Sequence, residues 1–197
     1  MHYYQELTLI KDSEISPYFI WSKLYTQLHL AFVEQKDANE QISYGVSFPE
    51  YKTIGARGKQ RMLLGSKLRV FANSLEDLQK LNLDKWLEKL TDYVHVKSPK
   101  KVENVTHYLT VNRYRPKASK EKLARRFARR HGVTYEDALK RLEGYAAKHE
   151  TFPYIQQKSL SGDRAFSLCI KQQHVEQQNF GKFSTYGLSA TNTVPHW

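Results

Sequence analysis

One cysteine, Cys169, serves 197 residues, so an internal disulfide is impossible and a cysteine-built zinc site is excluded. The usage fits a reducing, cytoplasmic setting. Spanning-length apolar runs are missing, and the N-terminus MHYYQELTLIKDSE carries acids but no apolar signal core. No broad Trp/Phe/Leu face accompanies the basic residues, so neither a membrane span nor an interfacial helix is expected. The eight histidines, at 2, 29, 95, 107, 131, 149, 174 and 196, form no HxH or HExxH pair. Carboxylate clusters of the two-metal kind are lacking as well. Gly55-Ala56-Arg57-Gly58-Lys59-Gln60 lacks the spacing and the following Ser or Thr of a phosphate-binding loop. No metal and no cofactor are expected.

Acids are scarce relative to bases: 31 Lys and Arg stand against 20 Asp and Glu, for a formal charge of +11. Arg113 to His131, RYRPKASKEKLARRFARRH, holds nine of those bases with the single acid Glu121, so 19 residues carry +8. Read as a helix, its second half places Arg125, Arg126, Arg129 and Arg130 on one flank, with Leu123 and Phe127 able to face inward. Stacked like charges repel, and a regular row of phosphates would relieve them. The alternative is a solvated face, although such faces usually mix signs. Forty per cent apolar and 13% aromatic residues argue for a folded chain.

Hydrophobic periodicity predicts a strand over Tyr3 to Ile10. Ser16-Pro17 then starts a helix reaching about Lys36, with Ile20, Leu24, Leu28 and Ala31 in one stripe and Trp21, Tyr25, His29 and Phe32 in a second. Strands follow around Ile42 to Phe48 and Lys67 to Ala72. A capping box at Ser74 opens a second helix carrying Leu75 through Leu90, and Tyr93 to Val96 is a last strand. The order β-α-β-β-α-β is the ferredoxin-like pattern.

A composition change near Ser98 places a domain boundary, giving 1–98 and 99–197. The second part carries a strand at Thr106 to Tyr114, the arginine helix at about 119–131 with Ser119 as cap and Gly132 as stop, and a helix opened by Thr134. Strands at Tyr154 to Gln157, Ala165 to Ile170 and Phe183 to Leu188 close the chain. The fold class is α+β: an N-terminal ferredoxin-like (RRM-like) domain, then an α+β domain bearing the arginine helix. No repeats are visible.

A polyanion partner without metal-binding residues points to RNA, whose own 2'-hydroxyl is a nucleophile needing only a base, an aligned phosphate and charge-stabilising donors. His29 is a candidate base, since an imidazole is largely neutral at pH 7. It is equally a helix residue that aromatic neighbours can pack.

Several segments, in order, resemble one family. They are Lys23 to Ala31 (KLYTQLHLA), Tyr44 to Pro49 (YGVSFP), Leu64 to Val70 (LGSKLRV), Leu123 to His131, Lys158 to Gly162 (KSLSG) and Tyr186 to Ser189 (YGLS). The set is similar to the CRISPR repeat-processing endoribonuclease of type I-F systems, within the RAMP superfamily. That resemblance implies an enzyme cutting the precursor transcript at the 3' foot of the repeat hairpin, leaving a 2',3'-cyclic phosphate and a 5'-hydroxyl. It implies retention of the product, with other subunits of a surveillance complex as partners.

By the same resemblance His29 is the base, Ser159 holds the hydroxyl with Ser161 beside it, and Tyr186 orients the imidazole. Arg113 reads a guanine edge, Phe166 stacks on the terminal pair, and Arg125, Arg126, Arg129, Arg130 and His131 meet phosphates. Arg115 stands where the family carries a base-reading glutamine, and the stretch from Pro49 to Leu64 is longer than the pattern. From residue type alone Ser159 and Ser161 read as turn residues, Tyr186 and Phe166 as core, and Arg113 and Arg115 as exposed strand arginines. The rival function is a hairpin-binding subunit that cuts nothing.

Overall fold

The computed structural model describes residues 1–55, 61–115, 118–145, 151–159, 162 and 164–197. They form two compact units, Met1–Tyr114 with Phe152–Trp197, and Arg115–Thr151. In the larger unit the chain runs β1 (Tyr3–Leu9), α1 (Pro17–Glu34), β2 (Gln41–Ile42), β3 (Gly45–Ser47), β4 (Lys52–Ile54), β5 (Arg61–Leu63) and β6 (Lys67–Ala72). Then come α2 (Leu75–Leu81), α3 (Leu83–Trp86), a 3-10 turn (Glu88–Leu90), β7 (Val94–Val96), β8 (Lys100–Lys101) and β9 (His107–Tyr114). The smaller unit holds α4 (Lys120–His131) and α5 (Tyr135–Lys140). The chain returns with β10 (Tyr154–Lys158), β11 (Ala165–Val175), β12 (Phe183–Ser184) and β13 (Ser189–His196), so the class is α+β, rich in strands.

Two larger antiparallel sheets form among the described residues, beside the two-stranded ribbons β12-β2 and β4-β5. The first has the order β3-β6-β1-β7, with β8 also on β1, and the second β10-β11-β9-β13. Counted within each sheet, both orders read second, third, first, fourth. That topological echo has no counterpart in the residues, because pairing order is set by backbone hydrogen bonds between segments distant in sequence.

Helix α1 is the element on which the larger unit is organised. Pro17 needs no N–H at the first helical position, and Ser16 before it is extended. Leu24, Leu28, Ala31, Tyr25 and Phe32 are wholly buried. A third, polar flank faces β10: Ser22 Oγ donates to Gln156 O, Gln157 Nε2 to Ser22 O at 3.2 Å, and Thr26 Oγ1 to Gln157 Oε1 at 3.3 Å. On the first sheet Glu6, almost buried, accepts from Arg69 at 3.0 Å and Lys97 at 2.7 Å. Burial pushes its pKa up, but these two cations outweigh it, and the carboxyl lies below its usual range.

Three expectations need correction. The helix read from Leu75 to Leu90 breaks at Asn82, which is left-handed at φ 49°, so that Leu81, Leu83 and Leu87 all reach the core from separate short turns. The strand read over Ile42 to Phe48 is two pieces, Ile42 pairing with Phe183 in a ribbon and Gly45–Ser47 pairing with β6. The strand read over Phe183 to Leu188 stops at Ser184, and β13 begins after the turn. Gly187 at φ 70° supplies that turn.

Candidate active site and nucleic-acid interface

Tyr25 and His29 lie four apart on α1 and therefore project from one flank. Both reach the turn that follows β12: Tyr25 Oη donates to Tyr186 O at 2.9 Å, and His29 Nδ1 lies 2.8 Å from Thr185 O. A carbonyl oxygen only accepts, so Nδ1 carries the proton and the neutral ring keeps its lone pair on Nε2. Burial drives the His29 pKa down and the bond to Thr185 raises it, leaving it below the ordinary histidine value. The ring is therefore neutral at pH 7.

The turn itself is pinned. Gly187 N–H donates to Ser184 O at 2.8 Å, Val46 N–H donates to Gly187 O at 3.1 Å, and a Cβ on Gly187 would stand 2.7 Å from Val46 Cγ1. No other residue fits there without displacement. On this turn the Tyr186 ring lies flat against the His29 imidazole, with centroids 4.0 Å apart and planes 3° from parallel. Tyr186 meets Phe166 edge-on at 6.5 Å, and the Arg113 guanidinium stands 4.9 Å from the Phe166 ring centre. Four residues scattered between positions 29 and 186 thus form one row of planar groups. Burial raises the Tyr186 pKa, opposed by Arg113, so the phenol stays protonated.

Phe166 alternates with Leu168 and Ile170 on β11, yet those two are wholly buried and Phe166 is half-exposed. Such a ring is available to a flat ligand. Ser159 follows β10, half-buried, its N–H donating to Arg164 O at 2.8 Å. Ser161 lies outside the described residues. Arg115 is exposed just beyond β9. The sequence reading missed Thr185, which acts through its backbone carbonyl and so leaves no mark in residue type. It also passed over Gln157. Tyr25 could have been found, being one turn before His29 in the aromatic stripe.

In the smaller unit, Ser119 Oγ accepts from Lys122 N–H and Gly132 at φ 65° ends α4 as expected. The inward residue is Ala124, fully buried, with Leu123 and Phe127 half-buried. Arg125, Arg126, Arg129, Arg130 and His131 are at the surface, and no ion pair engages them among the described residues. Leu123, Arg126, Phe127, Arg130, His131 and Leu142 line a groove of about 330 Å³. Its floor is partly aromatic, with the Phe127 ring tilted by 30° against His131 at 4.2 Å and Arg141 5.1 Å from the Phe127 centre.

Set against known proteins, the chain is of the CRISPR-associated class. Residues 4–197 match the family described as CRISPR-associated protein (Cas_Csy4). The CRISPR-associated endonuclease Cas6/Csy4 of Pseudomonas aeruginosa (strain UCBPP-PA14) is 34% identical over 196 residues, covering 99% of each chain. Its namesake in Escherichia coli (strain UTI89 / UPEC) is 31% identical over 196 residues, again covering 99% of each. The chain belongs to the Cas_Csy4 family. A solved structure described as an RAMP protein binding different RNA substrates aligns over 100% of both chains at 12% identity, with a TM-score of 0.39.

Proposed function

We propose that this protein is a metal-independent endoribonuclease that cuts CRISPR precursor RNA at the 3' foot of the repeat hairpin and stays on the product. The observation that carries the reading is the His29 imidazole, neutral and held at Nδ1 by Thr185, with its lone pair free on Nε2. Nε2 takes the proton of the ribose 2'-hydroxyl as that oxygen attacks the adjacent phosphorus. The bond from phosphorus to the 5'-oxygen breaks, this leaving oxygen takes a proton from water, and the His29 imidazolium returns its proton to solvent. A 2',3'-cyclic phosphate and a 5'-hydroxyl result. Tyr186 fixes the plane of the ring by stacking, worth about 0.5 to 1.5 kcal/mol.

Ser159 holds the attacking hydroxyl, with Ser161 two residues on in the sequence. Phe166 stacks on the terminal base pair, worth about 1 to 3 kcal/mol, and Arg113 reads a guanine edge with its paired donors. Arg115 meets the neighbouring nucleotide. Arg125, Arg126, Arg129, Arg130 and His131 take phosphates of the stem, and product retention follows because the product keeps that stem. Strands β3, β6, β1 and β7 of the first sheet with α1 and α2 are a ferredoxin-like domain over 1–98, a reading their order supports, and 99–197 is the hairpin-binding domain. Further subunits of a type I-F surveillance complex bind the retained product, in the cytoplasm.

The relatives' endonuclease names favour cleavage over the rival role of hairpin-binding subunit. Purified protein mixed with a repeat hairpin and EDTA should release a fragment ending in a cyclic phosphate. His29→Ala should abolish that release and leave hairpin affinity nearly unchanged. Binding without any cut by the unaltered protein establishes the rival instead.

A further inference from the structure

Between Glu50 and Glu76 no acid occurs in 25 residues, while Lys52, Arg57, Lys59, Arg61, Lys67 and Arg69 supply six bases. Lys67 is beside Glu50 and Arg69 is bound to Glu6. Arg57 and Lys59 lie outside the described residues. The remaining two, Lys52 and Arg61, sit on the hairpin made by β4 and β5, in the register Lys52↔Leu63, Thr53↔Met62, Ile54↔Arg61. Directly paired residues, and residues two apart, share a sheet face, so Lys52, Ile54, Arg61 and Leu63 form one side. Thr53 and Met62 form the other, which Tyr51 engages through its hydroxyl 3.5 Å from Met62 Sδ.

The first side is open to solvent at Lys52, Ile54 and Arg61 and half-buried at Leu63. Lys52, Ile54 and Arg61 on it are exposed, Ile54 to 41%, and neither cation makes an ion pair among the described residues. A two-stranded ribbon with both cations solvated on one face contributes nothing evident to stability.

Its base is anchored to the site. Tyr51 Oη donates at 3.2 Å to the carbonyl of Ile170, the residue paired with Arg113 across β11 and β9. Just beyond the ribbon, Gly65 O accepts from Trp21 Nε1 at 3.2 Å, eight residues before His29 on α1. That separation is about 12 Å along the helix axis. The ribbon is thus rooted about two helical turns from the candidate base, at the Arg113 end of the planar row.

We infer that the outer face of the β4–β5 ribbon, through Lys52 and Arg61 flanking Ile54, is a second RNA contact that takes phosphates of unpaired nucleotides flanking the repeat stem. The inference rests on the RNA-processing reading above. The ligand is the phosphodiester strand, on either the 5' or the 3' side of the stem. Ile54 lies between the cations as the apolar surface a ribose or base edge can cover.

Affinity is measured for four RNAs carrying a non-cleavable deoxyribose at the cut: bare hairpin, hairpin with a 5' single-stranded extension, with a 3' extension, and with both. The unaltered protein should bind at least one extended RNA more tightly than the bare hairpin. Lys52→Ala/Arg61→Ala should erase that gain, roughly tenfold at moderate salt. For the extended RNA it should also flatten log K against log salt by about 1.4 units or less, as for two single-strand phosphates left without a cation.

Bare-hairpin affinity and its cleavage rate, the latter read on the all-ribose hairpin, should not change in the variant. Whichever extension shows the gain identifies the side. An extension gain that survives in both the double alanine and the Lys52→Glu/Arg61→Glu variant overturns the inference, as does no gain in the unaltered protein. Equal weakening on bare and extended RNA also overturns it, placing the ribbon on the stem. If the unaltered protein binds no hairpin at all, the RNA-processing reading fails first, and that result is distinct from these.

Discussion

His29 gains its character from three neighbouring influences, none of which is a charged group. Thr185 contributes only a carbonyl, which fixes the tautomer, Tyr186 contributes a flat face, and partial burial supplies the lowered pKa. A base with a depressed pKa is mostly deprotonated at a pH where free histidine is half charged, near 6.5. The single-turnover cleavage rate should therefore fall as pH is lowered through a midpoint below that of free imidazole, about 6.5. A midpoint above it in the unaltered protein would mean that the titrating group is not this ring. Tyr25 shows how little residue type reveals. Its position in a buried stripe is what any core tyrosine would show, and only the bond to Tyr186 O distinguishes it.

At the scale of elements, two pieces do separable work. The turn at 184–187 presents a carbonyl and a ring to α1, and its shape depends on Gly187 at φ 70° against Val46. Gly187→Ala adds both a left-handed strain of about 1 to 2 kcal/mol and a clash. The expected result is a lower melting temperature with cleavage reduced more than hairpin affinity, measured by thermal unfolding alongside single-turnover kinetics and binding. In the function proposed above, helix α4 acts by charge. Arg126→Ala should weaken hairpin binding and reduce the slope of log K against log salt by about one unit or less, as expected when one phosphate is no longer neutralised. An unaltered slope would show Arg126 directed elsewhere.

These elements were unequally legible. The caps at Ser74, Ser119 and Thr134 and the stop at Gly132 are local chemistry, a side chain or a glycine satisfying the orphan groups of one helix end. They could be read because nothing distant is needed to form them. The break at Asn82 could not, since leucines on either side continue the helical spacing and tertiary burial decides how they are met. The strand end at Ser184 was hidden in the same way, by apolar residues on both sides of a turn.

For the whole molecule, acid should be destabilising, and one histidine cluster contributes to the effect between pH 6.5 and about 4. His107, His174 and His196, on the neighbouring strands β9, β11 and β13, have ring centroids 4.3 to 5.9 Å apart. Burial, then His107, Arg69 and His174, push His196 down to about 4 from its ordinary 6.5. Burial, then His174, lowers His107 as well. His107 Nε2 and His196 Nδ1 are buried without a hydrogen-bond partner among the described residues, so protonation there has no acceptor to meet it. Between pH 6.5 and about 4 the unfolded chain binds protons at His196 that the folded chain refuses, so stability present above that window is lost as pH falls through it. Chemical denaturation at stepped pH should show this decline, and His196→Gln should make it shallower.

By itself the sequence determined the excess of positive charge, its concentration in one segment and most of the longer elements. Net charge, the concentration of arginine in one short helix and the period of apolar residues are properties of composition and spacing, which no folding step can alter. The ordered motifs likewise marked the family to which the chain belongs. Only the tertiary structure decided which groups meet. Planar stacking, the proton on Nδ1 and the outward face of the β4–β5 ribbon arise where segments more than a hundred residues apart, or two strands in one register, come within a few ångströms. Side-chain contacts and backbone carbonyls at that range depend on strand pairing and packing, which are long-range interactions written nowhere in a local stretch of residues.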